Sequence, residues 1–218
     1  MSERFTDHLR ALAEPIWAAQ HAHPFVRGIA DGTLDLDKFR FWVRQDYRFL
    51  IDYARLFGIA ASRSPDLATM TTFAELLHST LRTEMALHRA YGAELGISRA
   101  ELEAEPMAPE NAAYTDFLLR TALLGGFAEL AAALLPCMWG FSEIGQRMTQ
   151  SPRPADSRYA RWIVMYADPE FARLANWCRD LVDRLAEDSG PEMQARMETA
   201  FLASSRHELA FWDMAWRS

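Results

Sequence analysis

The sequence predicts an all-α fold, a single-domain bundle of many helices spanning residues 1–218. Three observations carry this. Apolar residues recur at spacings of three and four over long stretches, and Ser, Asp, Pro and Gly punctuate those stretches as caps and stops. No alternating run of β-branched residues lies between hairpin turns, so no strand is expected. At 218 residues the chain can bury one substantial core, and neither a repeat nor a low-complexity segment divides it.

Taken in order, Ser2 is the expected N-cap of a first helix with Phe5, Leu9, Leu12, Ile16 and Trp17 on one face, kinked or split at Pro15. His23-Pro24 ends it. A short helix over Phe25 to Asp31 stops at Gly32. Asp35 or Asp37 caps a long helix carrying Phe39, Trp42, Val43, Asp46, Phe49, Leu50, Tyr53 and Phe57. Ser64-Pro65 reads as cap and first helical position of a fourth helix running to Gly96, with Leu67, Met70, Phe73, Leu77, Leu81, Met85, His88 and Tyr91 inward. A short acidic helix follows over Ser98 to Glu103, and then one over about Glu110 to Leu124 with Tyr114, Phe117, Leu118 and Leu123 inward. Gly125-Gly126 opens an apolar helix holding Pro136 and Cys137 and ending near Gln150. Three more start at Asp156 or Ser157, at Asp168-Pro169 and at Gly190-Pro191.

Composition narrows the function. The net charge is -7 and Lys38 is the only lysine, which argues against a nucleic-acid or anionic-membrane partner. The N-terminus has no signal core, and no apolar run is expected to reach the ~18 residues of a membrane span, so a cytoplasmic protein is expected. Cys137 and Cys178 have no CxxC spacing, which suggests neither a disulfide framework nor a cysteine-ligated metal. No GxSxG, P-loop or GxGxxG is present. Glu75 and His78 have the spacing of one half of a bundle di-metal site, but the second Glu-x-x-His is absent, and no metal or cofactor is expected.

The informative residues are polar ones on apolar faces, since bundles hold ligands between facing helices. Asp46, Glu84, Cys137, Tyr166 and Glu208 qualify, with Tyr53 and Tyr114 as companions. Pro136 removes a backbone hydrogen bond and should bend or loosen the helix just before Cys137, aiming the thiol at a gap. Taken alone, Cys137 is more simply a small buried hydrophobe beside a kink. Taken with two inward acids, it suits another chemistry. A thiolate is a strong nucleophile, a carboxylic acid in an apolar site can protonate a heteroaromatic nitrogen, a second carboxylate can hold an amino group, and aromatic faces stack on a flat ring. That set describes attack by cysteine on a small aromatic heterocycle.

An ordered series of segments resembles the TenA or thiaminase II family, whose members have a haem-oxygenase-like all-helical fold. The series is His23-Pro24-Phe25-Val26-Arg27-Gly28-Ile29-Ala30-Asp31-Gly32-Thr33-Leu34, Gln45-Asp46, Glu84-Met85-Ala86-Leu87-His88, Ala132-Ala133-Leu134-Leu135-Pro136-Cys137-Met138-Trp139, and Ser204-Ser205 to Glu208 with Phe211-Trp212. The resemblance implies a hydrolase of thiamin salvage acting on an aminomethylpyrimidine or thiamin, and a homotetramer. It implies that Cys137 is the nucleophile, Glu208 the acid on the ring nitrogen, Asp46 the carboxylate at the amino-substituted edge, and Tyr166 the hydroxyl partner near Glu208. Tyr114 and Phe211 resemble the two faces that sandwich the ring. Many cysteine-type members carry tyrosine at the positions of Phe49 and Phe141, about one turn from Asp46 and Cys137. These departures leave open a catalytically impaired or substrate-shifted pyrimidine-binding homologue.

Overall fold

The computed structural model describes residues 4–218, and every regular element among them is helical. In order these are α1 (Phe5–Leu12), α2 (Glu14–His21), α3 (Pro24–Asp31), α4 (Leu36–Arg63), α5 (Leu67–Ser79), a π-helical turn (Thr80–Glu84), α6 (Met85–Glu94), α7 (Arg99–Ala104), α8 (Pro109–Leu124), α9 (Phe127–Met148), α10 (Ser157–Tyr166), α11 (Pro169–Glu187) and α12 (Pro191–Arg217). Backbone packing groups them into two compact units interleaved along the chain: Met1–Leu34 with Ala128–Trp212, and Asp35–Phe127 with Asp213–Ser218.

The stops and starts follow local chemistry. Pro15 falls where the first segment divides into α1 and α2 and stands in the first turn of α2, where its missing N–H costs no helical hydrogen bond. Gly32 takes φ 73, a left-handed conformation that closes α3. Asp35, Asp66, Asp156 and Asp168 accept backbone N–H groups at the heads of α4, α5, α10 and α11. Ser98 and Glu101 form a reciprocal capping box on α7.

In the first unit, large rings make the core. Trp17 meets Trp139 edge-on at 5.0 Å and stacks on Phe201 at 6.0 Å. Phe141 lies 4.8 Å from Tyr166, 5.2 Å from Trp212 and 6.0 Å from Trp162, centroid to centroid. Such pairs add roughly 0.5–1.5 kcal/mol each beyond area burial. A polar knot binds α1, α2 and α9. Glu143 accepts from His21 Nε2 at 2.9 Å and lies 2.7 Å from Arg147 and 3.4 Å from Arg10. Tyr159 donates its hydroxyl to the Leu34 carbonyl at 2.7 Å, tying α10 to the segment after α3.

In the second unit, Phe39, Trp42 and Tyr91 pack α4 against α6, while Phe57 and Phe73 pack α4 against α5. Arg63, at the end of α4, donates to the carbonyls of Ala122 and Gly125 and so caps the open end of α8. Lys38 donates to the Trp216 and Ser218 carbonyls, satisfying the last turn of α12 with a cation where the helix dipole favours one.

Several sequence expectations are corrected. Ser2 lies outside the described residues, and Arg4 occupies the N-cap of α1. Ser64 is the C-cap of α4 rather than the N-cap of the next helix, because Asp66 offers its carboxylate to Thr69 N and Pro65 stays outside α5. The segment from 64 to 96 is not one helix. The buried residues Thr69, Phe73, Leu76 and Thr80 keep α-helical spacing, and the next is Met85, five residues on, followed by His88. The π-turn therefore inserts one residue and rotates the buried stripe after it, while Leu67 and Met70, ahead of the turn, and Leu81, within it, lie off the stripe and are exposed. Leu123, expected inward, is 63% exposed beside Leu124 at the end of α8, and Ala122 is the buried residue of that turn. As the sequence expects, Pro136 lies inside a single helix, α9. This helix is long and apolar enough to cross a membrane by composition, contrary to the sequence estimate, but most of it is buried inside the protein.

Candidate functional site

Each unit carries part of the sequence-derived set. In the first unit, Cys137 is half-buried on α9 between the buried Pro136 and Met138. Phe141 follows one turn later on the same side of the helix, with its ring against Tyr166 and Trp212. Tyr166 is the last residue of α10, buried among Phe141, Trp162 and Phe171. Gly145 permits that placement: a Cβ there would sit 2.5 Å from the Tyr166 carbonyl carbon and 2.7 Å from Ala167 N. Glu208 is 3% exposed on α12, one turn after the buried Ser204 and Ser205 and one turn before the buried Phe211-Trp212. Ser205 accepts from Trp17 Nε1 at 3.1 Å, which fixes α12 against α2 immediately before Glu208. The other cysteine, Cys178, is fully buried on α11, and burial pushes its thiol up to about 12.

In the second unit, Asp46 is 3% exposed on α4, and Phe49 follows one turn later. The Phe49 ring lies 5.1 Å from Tyr114 on α8 and 5.2 Å from Tyr53, so the structure joins these three rings. Gln45 sets their spacing. Its side chain donates to the Pro106 carbonyl at 3.0 Å and accepts from Ala108 N at 2.9 Å, while Asn111 donates to its backbone carbonyl at 2.8 Å. These bonds pin the connector and the first turn of α8, and Tyr114 stands one turn beyond Asn111. Glu84 is half-exposed at the end of the π-turn.

The sequence places His88 inward, as a helix-face partner of Glu84 or part of a pocket wall, and does not show its partner on another helix. His88 is fully buried on α6, and its Nε2 approaches Asp46 Oδ2 to 2.6 Å. The approach is that of an ion pair rather than an aligned hydrogen bond. Nδ1 lies 3.0 Å from the Glu84 carbonyl oxygen, and Trp42 covers the ring at 5.2 Å. Burial alone would lower the proton affinity of this imidazole, but Asp46, with a smaller part from Glu84, holds it above the ordinary histidine value. The signal in the sequence is a histidine four residues after Glu84, and its partner is 42 residues away on another helix.

Among the described residues no cluster of three or more His, Cys, Asp or Glu side chains is arranged to hold a metal ion. The chemical inventory is a half-exposed thiol and a buried acid in one unit, and a buried carboxylate held by an imidazole in the other. Buried aromatic residues stand one turn along the helix from each of them: Phe141 from Cys137, Phe211-Trp212 from Glu208, and Trp42 and Phe49 from Asp46.

An all-helical chain with this inventory falls in the class of haem-oxygenase-like helical proteins. A domain from Shewanella denitrificans with a heme oxygenase-like fold shares the fold at a TM-score of 0.71, at 12% identity over 97% of this chain and 90% of its own. The chain belongs to the TENA/THI-4/PQQC family, whose model matches residues 10–218. It is 47% identical to the aminopyrimidine aminohydrolase of Halalkalibacterium halodurans over 97% of this chain and 95% of that one. It is 32% identical to the TenA homologue of P. horikoshii, which covers 99% of both chains with a TM-score of 0.91.

Proposed function

We propose that the chain is an aminopyrimidine aminohydrolase of thiamin salvage, converting an aminomethylpyrimidine, or thiamin, to the hydroxymethylpyrimidine. The observation that carries this is the half-exposed Cys137 thiol on a helix otherwise walled by buried apolar residues, in a chain 47% identical to a curated enzyme of that name. The Cys137 thiolate adds to the ring carbon next to a nitrogen while Glu208 gives that nitrogen a proton. The dearomatised ring then expels its exocyclic substituent, ammonia from the aminomethyl compound or the thiazole from thiamin, leaving an exocyclic methylene. Water adds to the methylene and loses a proton. The ring nitrogen returns its proton as the thiolate leaves. The family resemblance assigns Asp46 to the amino-substituted edge, Tyr166 to the support of Glu208, and Tyr114 and Phe211 to the two ring faces. No cofactor is needed.

Incubation of reduced protein with each substrate, followed by detection of the hydroxymethylpyrimidine, tests the reading. Turnover of neither substrate overturns it, and a Cys137→Ser variant with undiminished rate removes the nucleophile. A second reading has a specific observation behind it. Phe49 and Phe141 fill their positions with rings packed on neighbouring aromatics and offer no hydroxyl near the aspartate or the thiol. A pocket that binds a pyrimidine without converting it, or that takes a different leaving group, is consistent with this. Calorimetric binding without product separates the two. A cytoplasmic homotetramer completes the proposal, supported by the family resemblance, by Cys137 and Cys178 standing outside any disulfide, and by the exposed Leu123 and Leu124. Light scattering on the eluted peak reads the assembly.

A further inference from the structure

The contact between α4 and α6 is unusual in what each atom can accept. His88 has no exposure and Asp46 almost none, and among the described residues neither Asp46 Oδ2 nor His88 Nε2 has a hydrogen-bond partner, while the two approach each other to 2.6 Å. A backbone carbonyl can only accept, so His88 Nδ1, at 3.0 Å from the Glu84 oxygen, carries a proton. Two lone pairs cannot face each other at 2.6 Å, so a second proton lies between Nε2 and Asp46 Oδ2, and we place it on Nε2. The ring is then an imidazolium. The groups that face it are Asp46 from α4, Glu84 from the π-turn and Tyr91 on its own helix, and the two carboxylates both favour the charged form. A buried ion pair contributes little to stability, because desolvating both charges offsets their attraction. Its presence on a core face therefore calls for a role other than stability.

We propose that His88 is a positioning residue for substrate: as an imidazolium anchored to the Glu84 carbonyl, it fixes the Asp46 carboxylate by one oxygen and leaves the other to hold the amino group of the pyrimidine. The π-turn is what makes this possible. From Thr80, uninterrupted α-helical spacing would turn residues 83, 84 and 87 inward, whereas the inserted residue turns Met85 and His88 inward instead. Locked in this way, Asp46 stays an acceptor. A carboxylate free to rotate or to take up a proton would lose selectivity for an amino group over a hydroxyl at that edge.

The inference rests on the aminopyrimidine reading for the identity of the substrate, and the test keeps the two apart. Nitrogen-15 spectra of the imidazoles in the whole protein near neutral pH read the pair without any turnover. Both His88 nitrogens should be protonated in the wild type, and one should lose its proton in Asp46→Asn. A neutral His88 in the wild type overturns the proposal. For positioning, His88→Asn keeps a donor near the Glu84 carbonyl and loses the reach to Asp46, while His88→Gln places an amide near the position of Nε2. With the aminomethylpyrimidine, His88→Asn should raise KM about tenfold, or about 1.4 kcal/mol. Its kcat should stay within about threefold, because the contact serves ground state and transition state alike. His88→Gln should recover most of the loss. An unchanged KM in His88→Asn overturns the proposal, as does equal impairment of the two variants when their circular dichroism and melting match. If the wild type turns over neither substrate, the aminopyrimidine reading fails, and the nitrogen-15 result still decides the ion pair.

Discussion

Glu143 offers a prediction whose size can be worked out in advance. Its carboxylate is about one-fifth exposed and is held by His21 of α2, Arg10 of α1 and Arg147 of its own helix. Burial works to raise its proton affinity, but the His21 hydrogen bond and the charges of Arg10, His21 and Arg147 outweigh it and lower the pKa from 4.5 to about 2. At about 1.4 kcal/mol per tenfold in proton affinity this is roughly 3 kcal/mol, which solvent screening of the exposed partners reduces to about 1–2 kcal/mol. The unfolded carboxyl binds its proton more tightly than the folded one, so this stability is present above pH 4.5 and is lost as pH falls through about 2. Glu143→Gln should therefore lower Tm at pH 7 by about 2–8 °C for a chain of this length. The two melting curves should converge as pH falls toward 2. Equal melting at pH 7, or a gap that stays constant down to pH 2, would refute the reasoning.

Four further outcomes follow from the same geometry. Gly145→Ala puts a Cβ against the backbone of Tyr166 and Ala167, and should cost about 1–3 kcal/mol in urea unfolding, since neither neighbour is a flexible side-chain end. Tyr159→Phe leaves the buried Leu34 carbonyl without its donor and should cost about 1 kcal/mol by the same measurement. Iodoacetamide at pH 8 should add a single label per folded chain, at Cys137, because the Cys178 thiol is buried and pushed up to about 12; mass spectrometry of the peptides reads this directly. Gln45→Leu removes the side-chain bonds that pin the Pro106 to Ala108 connector, and should lower Tm while raising KM more than it lowers kcat, because Tyr114 is displaced rather than removed.

Helix existence was legible in the sequence wherever chemistry marks a boundary: Pro15, Gly32, Asp35, Ser98 with Glu101, Asp168-Pro169 and Gly190-Pro191 all fall where α-helices begin or end. The misplaced cap at Ser64 had a competing residue of equal capping strength two positions on, and local spacing could not choose between Ser64 and Asp66. The phase slip at Thr80–Glu84 was hidden because Leu77, Leu81 and Met85 give an apolar stripe in either frame. Burial of Asp46, Glu208, Tyr114 and Tyr166 followed from their places on apolar faces. The partner of Asp46 did not, since pairing between distant helices leaves no mark in the spacing of either one.

The π-turn also changes how length variation in this segment should be understood. An α-helix advances each residue by about 100° around its axis, so one residue added or removed re-addresses every side chain downstream. Deleting one residue between Thr80 and Glu84 would take out the inserted residue and leave a regular helix, with Met85 and His88 four and seven positions after Thr80 and so still on the face that meets Asp46. The segment is the slack in a reading frame written on a helix surface: one residue can be removed here with every later position kept, whereas the same deletion elsewhere in α5 or α6 would turn the later positions away.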